Sequence, residues 1–266
     1  MSERPGAWLV GGASVRGAAH VRSGRPNQDA VRWLPEVGNG ARIVGAVADG
    51  HGGAPHFRSD RGARIAVDRT VDILAWRIDE AGDQEEGELA AELLRAWRDG
   101  VAAHLSQTPY IPGDPVIPER PLMPYGATLL TFAAAPQVIE MLQIGDGDVV
   151  LGFAGERLER PLGSDSGLVG EETYSLCLDD AERRARSASL WRDDAAEWPD
   201  FVLLATDGVS KSFRDDAAFL EAAGQLRRLA AAQWDATVEA LPEWLERVSA
   251  AGSGDDSTVC IAMRRH

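Results

Sequence analysis

Aspartates stand beside glycines at the ends of apolar runs along the whole of this 266-residue sequence. Asp29 closes Pro26-Asn27-Gln28-Asp29, and Asp49 opens Asp49-Gly50-His51-Gly52-Gly53. Asp146 and Asp148 fall in Gly145-Asp146-Gly147-Asp148, Asp207 in Thr206-Asp207-Gly208, and Asp255 in Asp255-Asp256-Ser257-Thr258. Carboxylates held at strand ends by tight turns can converge on one point, and a cluster of oxygens is what a hard divalent cation requires. A backbone carbonyl such as that of Gly50 can join the set. His51, with a pKa near neutrality and a place beside Asp49, suits proton donation to a leaving group. Taken singly, each Asp-Gly also reads as a turn, because glycine accepts positive φ and aspartate bonds nearby backbone. Asp146 and Asp148 read as hairpin residues and do not fill the twelve-residue calcium loop. Asp255-Asp256 reads equally as a solvated loop, and His56, His104 and His266 as surface histidines.

Other chemistries lack their residues. The sequence has no Gly-x-Ser-x-Gly elbow, no P-loop and no Gly-x-Gly-x-x-Gly after a strand. Neither Cys177 nor Cys260 sits in a glycine-rich, arginine-terminated cradle. Hydrolysis by water activated between two cations about 4 Å apart is what remains.

Positioning these acids is the task of the strands. Trp8 to Ser14 is a short mixed run. Ala30–Leu34, 42–48, 127–134, Val138–Ile144, 148–153, Phe201–Ala205 and 258–263 read as strands, those at 42–48 and 201–205 buried on both faces. Residues 58–78 take helical spacing. Leu89, Leu93, Trp97, Val101 and Leu105 recur every four residues, which marks a second helix. Helices are expected at 217–231 and 236–249. Residues 155–200 are polar and weakly patterned, with a strand expected at 173–178 and a helix at 180–191. Prolines 109, 112, 115, 118, 121 and 124 repeat every third residue. That period matches a polyproline II rod and a polyproline-binding partner, or a stiff loop excluded from the sheets. The order of elements fits one α+β domain over 1–266, with helices outside packed sheets.

Composition narrows the setting. Charged residues form 26% and hydrophobic ones 44%, which is globular, and a net charge of −15 opposes nonspecific nucleic-acid binding. No run approaches the ~18 apolar residues of a membrane span, and the N-terminus has no apolar signal core. The two cysteines read as reduced residues in strands, so a soluble, cytoplasmic protein is expected.

The ordered set Asn27-Gln28-Asp29-Ala30, Val47-Ala48-Asp49-Gly50-His51-Gly52-Gly53, Gly126-Ala127-Thr128-Leu129, Ile144-Gly145-Asp146, Leu204-Ala205-Thr206-Asp207-Gly208-Val209 and Asp255-Asp256-Ser257-Thr258-Val259 resembles the metal-dependent protein serine/threonine phosphatases of type 2C. The resemblance spans residues 11 to 263. It implies two antiparallel sheets flanked by helices, an α-β-β-α sandwich, and a flap within 155–200. It implies that Asp49 bridges two Mg²⁺ or Mn²⁺ ions, with the Gly50 carbonyl, Asp207 and Asp255 as ligands and Asp29 holding coordinated waters. Asp146 matches the aspartate of a third ion, and His51 the general acid. The substrate implied is a phosphoprotein, made by a serine/threonine kinase in a signalling system. Three positions depart from the family. Gln28 stands where many members have Glu, Gly24 where the phosphate-binding arginine is usual, and Gly147-Asp148 replaces a common Ser-Arg, adding negative charge. Arg25, Arg22 or Arg16 would then meet the phosphate. A non-catalytic metal- or phosphoprotein-binding module and a small-molecule phosphoesterase are the competing expectations.

Overall fold

Runs of Val, Ile, Leu and Ala closed by glycine, proline or aspartate make strands, because such side chains fill both faces of a covered sheet. The computed structural model describes residues 7–79, 86–163, 174–193 and 197–265. In chain order these contain β1 (Trp8–Val15), α1 (Ala18–Ser23), β2 (Ala30–Leu34), β3 (Asn39–Gly40), β4 (Ile43–Ala48), α2 (Ser59–Asp79) and α3 (Glu86–Gln107). There follow β5 (Leu129–Ala134), β6 (Val138–Ile144), β7 (Asp148–Gly152), β8 (Leu158–Glu159), α4 (Ala181–Arg184) and β9 (Arg186–Trp191). The chain ends with β10 (Phe201–Ala205), α5 (Asp207–Ser210), α6 (Asp216–Ala232), α7 (Trp234–Ala251) and β11 (Ser257–Arg264).

The strands form two antiparallel sheets, ordered β3-β1-β11-β10-β7-β8 and β2-β4-β5-β6-β9. Three apolar layers hold them. Val10, Ile43, Val47, Leu130, Phe132, Val202 and Cys260 fill the space between the sheets. Ala63, Ala66, Val67, Val71 and Leu74 of α2, with Leu93 and Trp97 of α3, cover the five-stranded sheet. Phe219, Ala223 and Leu226 of α6 and Leu241 and Leu245 of α7 cover the six-stranded one. This is the expected α-β-β-α sandwich. The buried Trp97 ring also donates its Nε1–H to the Gly62 carbonyl at 3.1 Å, so truncation to alanine costs about 3–5 kcal/mol. Trp76 of α2 points outward and is 56% exposed.

Register explains why distant acids meet. Ala30 pairs with Ala48, so Asp29 precedes β2 where Asp49 follows β4. Ala205 pairs with Val259 and with Asp148, which brings the end of β10 to the starts of β11 and β7. Leu129 pairs with Ile144, and Leu130 with Val47. All of these termini share one end of the sandwich.

Several expectations need correction. Residues 174–178 form turns, not a strand, and Cys177 lies in them; Thr173 is outside the described residues. The stretch 180–191 is one helical turn followed by β9, because Ser187, Ala188, Ser189 and Leu190 find an open edge beside β6. The Gly145-Asp146-Gly147 turn joins β6 and β7, which belong to different sheets, so it is a crossover and not a hairpin. Trp8–Val15 is a full strand paired with β11 along its whole length.

The proline-periodic segment is no continuous rod. Polyproline II has no internal hydrogen bonds, yet Asp114 N–H donates to the Ile111 carbonyl, Arg120 to Ile117 and Met123 to Arg120. Tyr110 Oη donates to the Pro121 carbonyl at 2.8 Å. Arg58 stacks on the Tyr110 and Tyr125 rings beneath the loop. Among the described residues no helix is long and apolar enough to cross a membrane.

Candidate metal centre

Two glycines let the acidic segments close on one another. A Cβ at Gly50 would stand 2.6 Å from the Gln28 carbonyl and 2.7 Å from that of Ser59. One at Gly208 would lie 1.9 Å from the Asp256 carbonyl. Only glycine permits the Asp49 turn to nest on the Gln28 segment and the Asp207 turn to nest on the Asp255-Asp256 turn. Thr128 fixes the third approach, with its N–H donating to the Asp49 carbonyl at 2.8 Å and its Oγ1 accepting from Asp49 N–H at 3.0 Å. The Gly-Ala-Thr motif is thus the clamp on Asp49.

Asp256 is a strut. Its carboxylate accepts from the Gly17 and Gln28 N–H groups, each at 2.6 Å, and bonds His20 Nδ1 at 2.9 Å. His20 Nε2 lies 3.6 Å from Asp255 Oδ1. His20, Asp255 and Asp256 offer ligand-type atoms within 4.8 Å of one another. With both Asp256 oxygens already bonded to protein donors, that trio ties β1, β2 and β11 together.

Asp49, Asp146, Asp207 and Asp255 line one cavity of about 760 Å³, together with His51, Gly52, His56, Met123, Ser175, Cys177 and Lys211. Asp29 is 6% exposed, and Thr206 Oγ1 donates to its Oδ2 at 2.8 Å. Three buried oxygens here have no hydrogen-bond partner: Gln28 Oε1, Asp29 Oδ1 and Asp207 Oδ1. Burial raises the Asp49 pKa well above the usual carboxylate range, and Asp29, Asp207 and Asp255 raise it further. Burial likewise raises Asp29, helped by the charges of Asp256 and Asp207 and opposed by the hydroxyls of Thr258 and Thr206. Leaving such groups uncompensated costs several kcal/mol, so acceptors crowded this way fit a cation. An all-oxygen set with one amide suits Mg²⁺ or Mn²⁺ by its hardness.

His51 is half-buried on the cavity wall. Burial, then the neighbouring His56, lower its pKa to about 4, while Asp146 acts in the opposite direction. The two rings meet edge to face at 5.1 Å, and His56 Nδ1 bonds the Met123 carbonyl at 2.7 Å. His56 is therefore no loose surface histidine, and His104 bonds Tyr125 Oη at 2.6 Å. His266 lies outside the described residues. Gln28 Nε2 donates to the His51 carbonyl at 3.1 Å and to Ser59 Oγ. Asp148 adds little negative charge, since Arg160 Nε meets its Oδ1 at 2.7 Å.

Of the three arginines expected to meet phosphate, Arg16 donates to the Arg25 carbonyl at 3.5 Å and does not line the cavity. Arg25 passes within 3.8 Å of where a Gly52 Cβ would stand, whereas Arg22 lies beside Gly254. Neither lines the cavity. The cation that does is Lys211, which sequence reasoning passed over. Lys211 Nζ donates to Asp207 Oδ2 and reaches Asp146 Oδ2 at 3.1 Å. Burial alone would lower its pKa, but the bonds and charges of Asp207 and Asp146 outweigh it and hold the ammonium above its usual range. A signal was present: of 27 Lys and Arg residues, Lys211 is the single lysine, four residues after Asp207.

The sequence pattern of the protein phosphatase 2C family matches residues 16–246. No curated protein matches the chain. Among solved structures it is similar to PppA, a regulatory component of T6SS in Pseudomonas aeruginosa, with a TM-score of 0.61 and 20% identity over 97% of this chain and 98% of that one. It is similar to the catalytic domain of the serine/threonine phosphatase PstP in complex with two manganese ions, at 0.58 and 20% identity over 98% and 99%. The Mycobacterium tuberculosis serine/threonine phosphatase PstP/Ppp gives 0.57 and 21% over 98% and 100%. The fold is common to all of them, and with the family pattern running through most of its length this chain belongs to the protein phosphatase 2C family.

Proposed function

We propose that the protein hydrolyses phosphoserine and phosphothreonine in protein substrates, using Mg²⁺ or Mn²⁺ held at this end of the sandwich. The observation that carries the reading is the group of buried, partnerless oxygens at Gln28, Asp29 and Asp207, next to an Asp49 whose bare charge is disfavoured by burial and by its acidic neighbours. Asp49, the Gly50 carbonyl, Asp207 and Asp255 would hold the ions, and Asp29 their water shell. Ions bound there supply a water of lowered pKa and counter the negative charge of a phosphoryl group.

The chain's own residues do the rest. Asp49 would stay ionised once a cation balances it, and Thr128 and Thr206 hold the Asp49 and Asp207 turns still. His51 is neutral near pH 7 in its buried setting. A phosphoryl dianion beside it would draw a proton onto the ring, ready for the departing serine or threonine oxygen. The cavity is open enough to admit a side chain on a polypeptide, and Arg25 stands at its rim beside Gly52. The substrates would be products of a serine/threonine kinase, in a cytoplasmic signalling system.

Hydrolysis of a phosphothreonine peptide with and without Mn²⁺ tests the reading. Turnover should require the metal and vanish in Asp49→Asn. A folded protein that binds Mn²⁺ but turns over no phosphopeptide, or prefers small phosphate esters, contradicts it.

A further inference from the structure

Lys211 has a role that the acidic set alone does not supply. Its backbone N–H donates to the Asp207 carbonyl at 2.7 Å, which closes the turn of α5 and places the two side chains on one face. Its ammonium then spans Asp207 Oδ2 and Asp146 Oδ2 at the cavity wall. The two oxygens of Asp207 are divided between tasks: Oδ2 serves Lys211, and Oδ1 is buried with no partner. Asp207 can therefore meet an inner cation through Oδ1 without giving up the lysine. Asp146 has no such inner oxygen among the orphaned atoms, and its described ion pair is with Lys211. Every other residue of the Lys and Arg set is arginine. A guanidinium is a broad planar fork, whereas an ammonium is a compact point charge with three donors, close in shape to a cation.

We infer that Lys211 is a tethered cation: its ammonium fills the place between Asp146 and Asp207 that a further divalent ion would take, and turns its remaining donor toward the phosphoryl group of the substrate. The inference rests on the proposed function. It assigns Asp146 to lysine binding and limits the ions to those near Asp49, Asp207 Oδ1 and Asp255. It also supplies a positive group for the phosphate on the cavity wall itself, where Arg25 reaches only the rim and Arg22 lies beside Gly254.

Counting bound Mn²⁺ by equilibrium dialysis with electron paramagnetic resonance tests it without reading activity. Lys211 has a 59% exposed side chain, so Lys211→Gln and Lys211→Ala leave the core intact, which circular dichroism verifies. Both variants should bind one more Mn²⁺ than the unaltered protein, and the added ion should disappear in Lys211→Gln/Asp146→Asn. Asp146→Asn alone should leave the count unchanged. An equal count in Lys211→Gln, or loss of an ion in Asp146→Asn alone, overturns the inference while the metal-dependent reading stands. Failure of every variant and of the unaltered protein to bind Mn²⁺ removes both.

Discussion

The two ends of β10 carry acids in opposite circumstances. Before the strand, Asp200 receives both arms of Arg227, Nε at 2.8 Å and Nη2 at 2.7 Å, with the pair largely shielded from solvent. Its backbone is also fixed, donating to the Gly152 carbonyl and accepting from Arg264 N–H. After the strand, Asp207 leaves Oδ1 buried and without a donor, beside Asp29 and Asp49. The five residues of β10 and Thr206 separate an acid with both oxygens paired from one that pairs Oδ2 with Lys211 and leaves Oδ1 open. A bidentate arginine pair holds structure, whereas crowded acceptors without donors lower stability until something positive arrives. The first end is closed within the protein, and the second is where the proposed ions would bind.

Substitutions at each end should separate these roles. The largest effect is expected at the metal end: Asp207→Asn or Asp49→Asn should reduce Mn²⁺-dependent phosphopeptide hydrolysis by about 10³-fold or more. Yet Asp49→Asn should melt no lower than the unaltered protein without metal, because it removes a like charge from a crowded set. A marked fall in metal-free Tm in Asp49→Asn contradicts the account. Arg227→Ala should behave in the reverse way. Stranding Asp200 should cost about 2–4 kcal/mol in urea denaturation and leave kcat at its original value where the protein is folded.

Metal and pH sharpen the contrast. Asp29 and Asp49 have pKa values raised in the fold. Proton binding to them therefore stabilises the metal-free protein below the ordinary carboxylate pKa, and this contribution is lost as pH rises through the raised values. Mn²⁺ needs the deprotonated forms. The rise in Tm on adding Mn²⁺ should thus be larger at about pH 8 than at about pH 5, and should reach a few kcal/mol of stabilisation at ~100 times the Kd. Equal Tm shifts at both pH values would count against these acids as ligands. A smaller effect is expected from His56→Ala, which removes the edge contact on His51: kcat should fall roughly ten-fold with KM little changed. The smallest belongs to the proline-periodic loop, where Pro115→Ala and Pro118→Ala, both exposed, should shift stability by under about 0.5 kcal/mol.

Much of this was legible in the chain, and the reasons are physical. The buried strands 43–48 and 201–205 announced themselves because covering both faces leaves no polar alternation, and the Asp-Gly turns at their ends marked where they stop. The clustering of Asp29, Asp49, Asp207 and Asp255 follows from antiparallel register, which the order of the motifs already implied. What lay hidden depended on neighbours. Residues 186–191 have no helix- or strand-specific period of their own, and β9 forms because β6 offers an unfilled edge. The prolines at 109–124 keep a regular spacing, yet turns at Asp114, Arg120 and Met123 and the Tyr110–Arg58 stack fold the segment down. His56 read as a surface histidine and Asp148 as a hairpin residue because their partners, Met123 and Arg160, lie outside their own turns. Lys211 was overlooked because a lone lysine in a loop ordinarily means nothing; its meaning comes from a chain that uses arginine everywhere else.

Anomalous diffraction from crystals loaded with Mn²⁺ tests the central claim most directly. Peaks should appear in direct coordination of Asp49, Asp207 Oδ1 and Asp255, with the side chain of Asp200 still clamped by Arg227 at the far end of the strand. Manganese absent from those oxygens, with Asp49 and Asp207 Oδ1 instead bonded to protein donors, would contradict it.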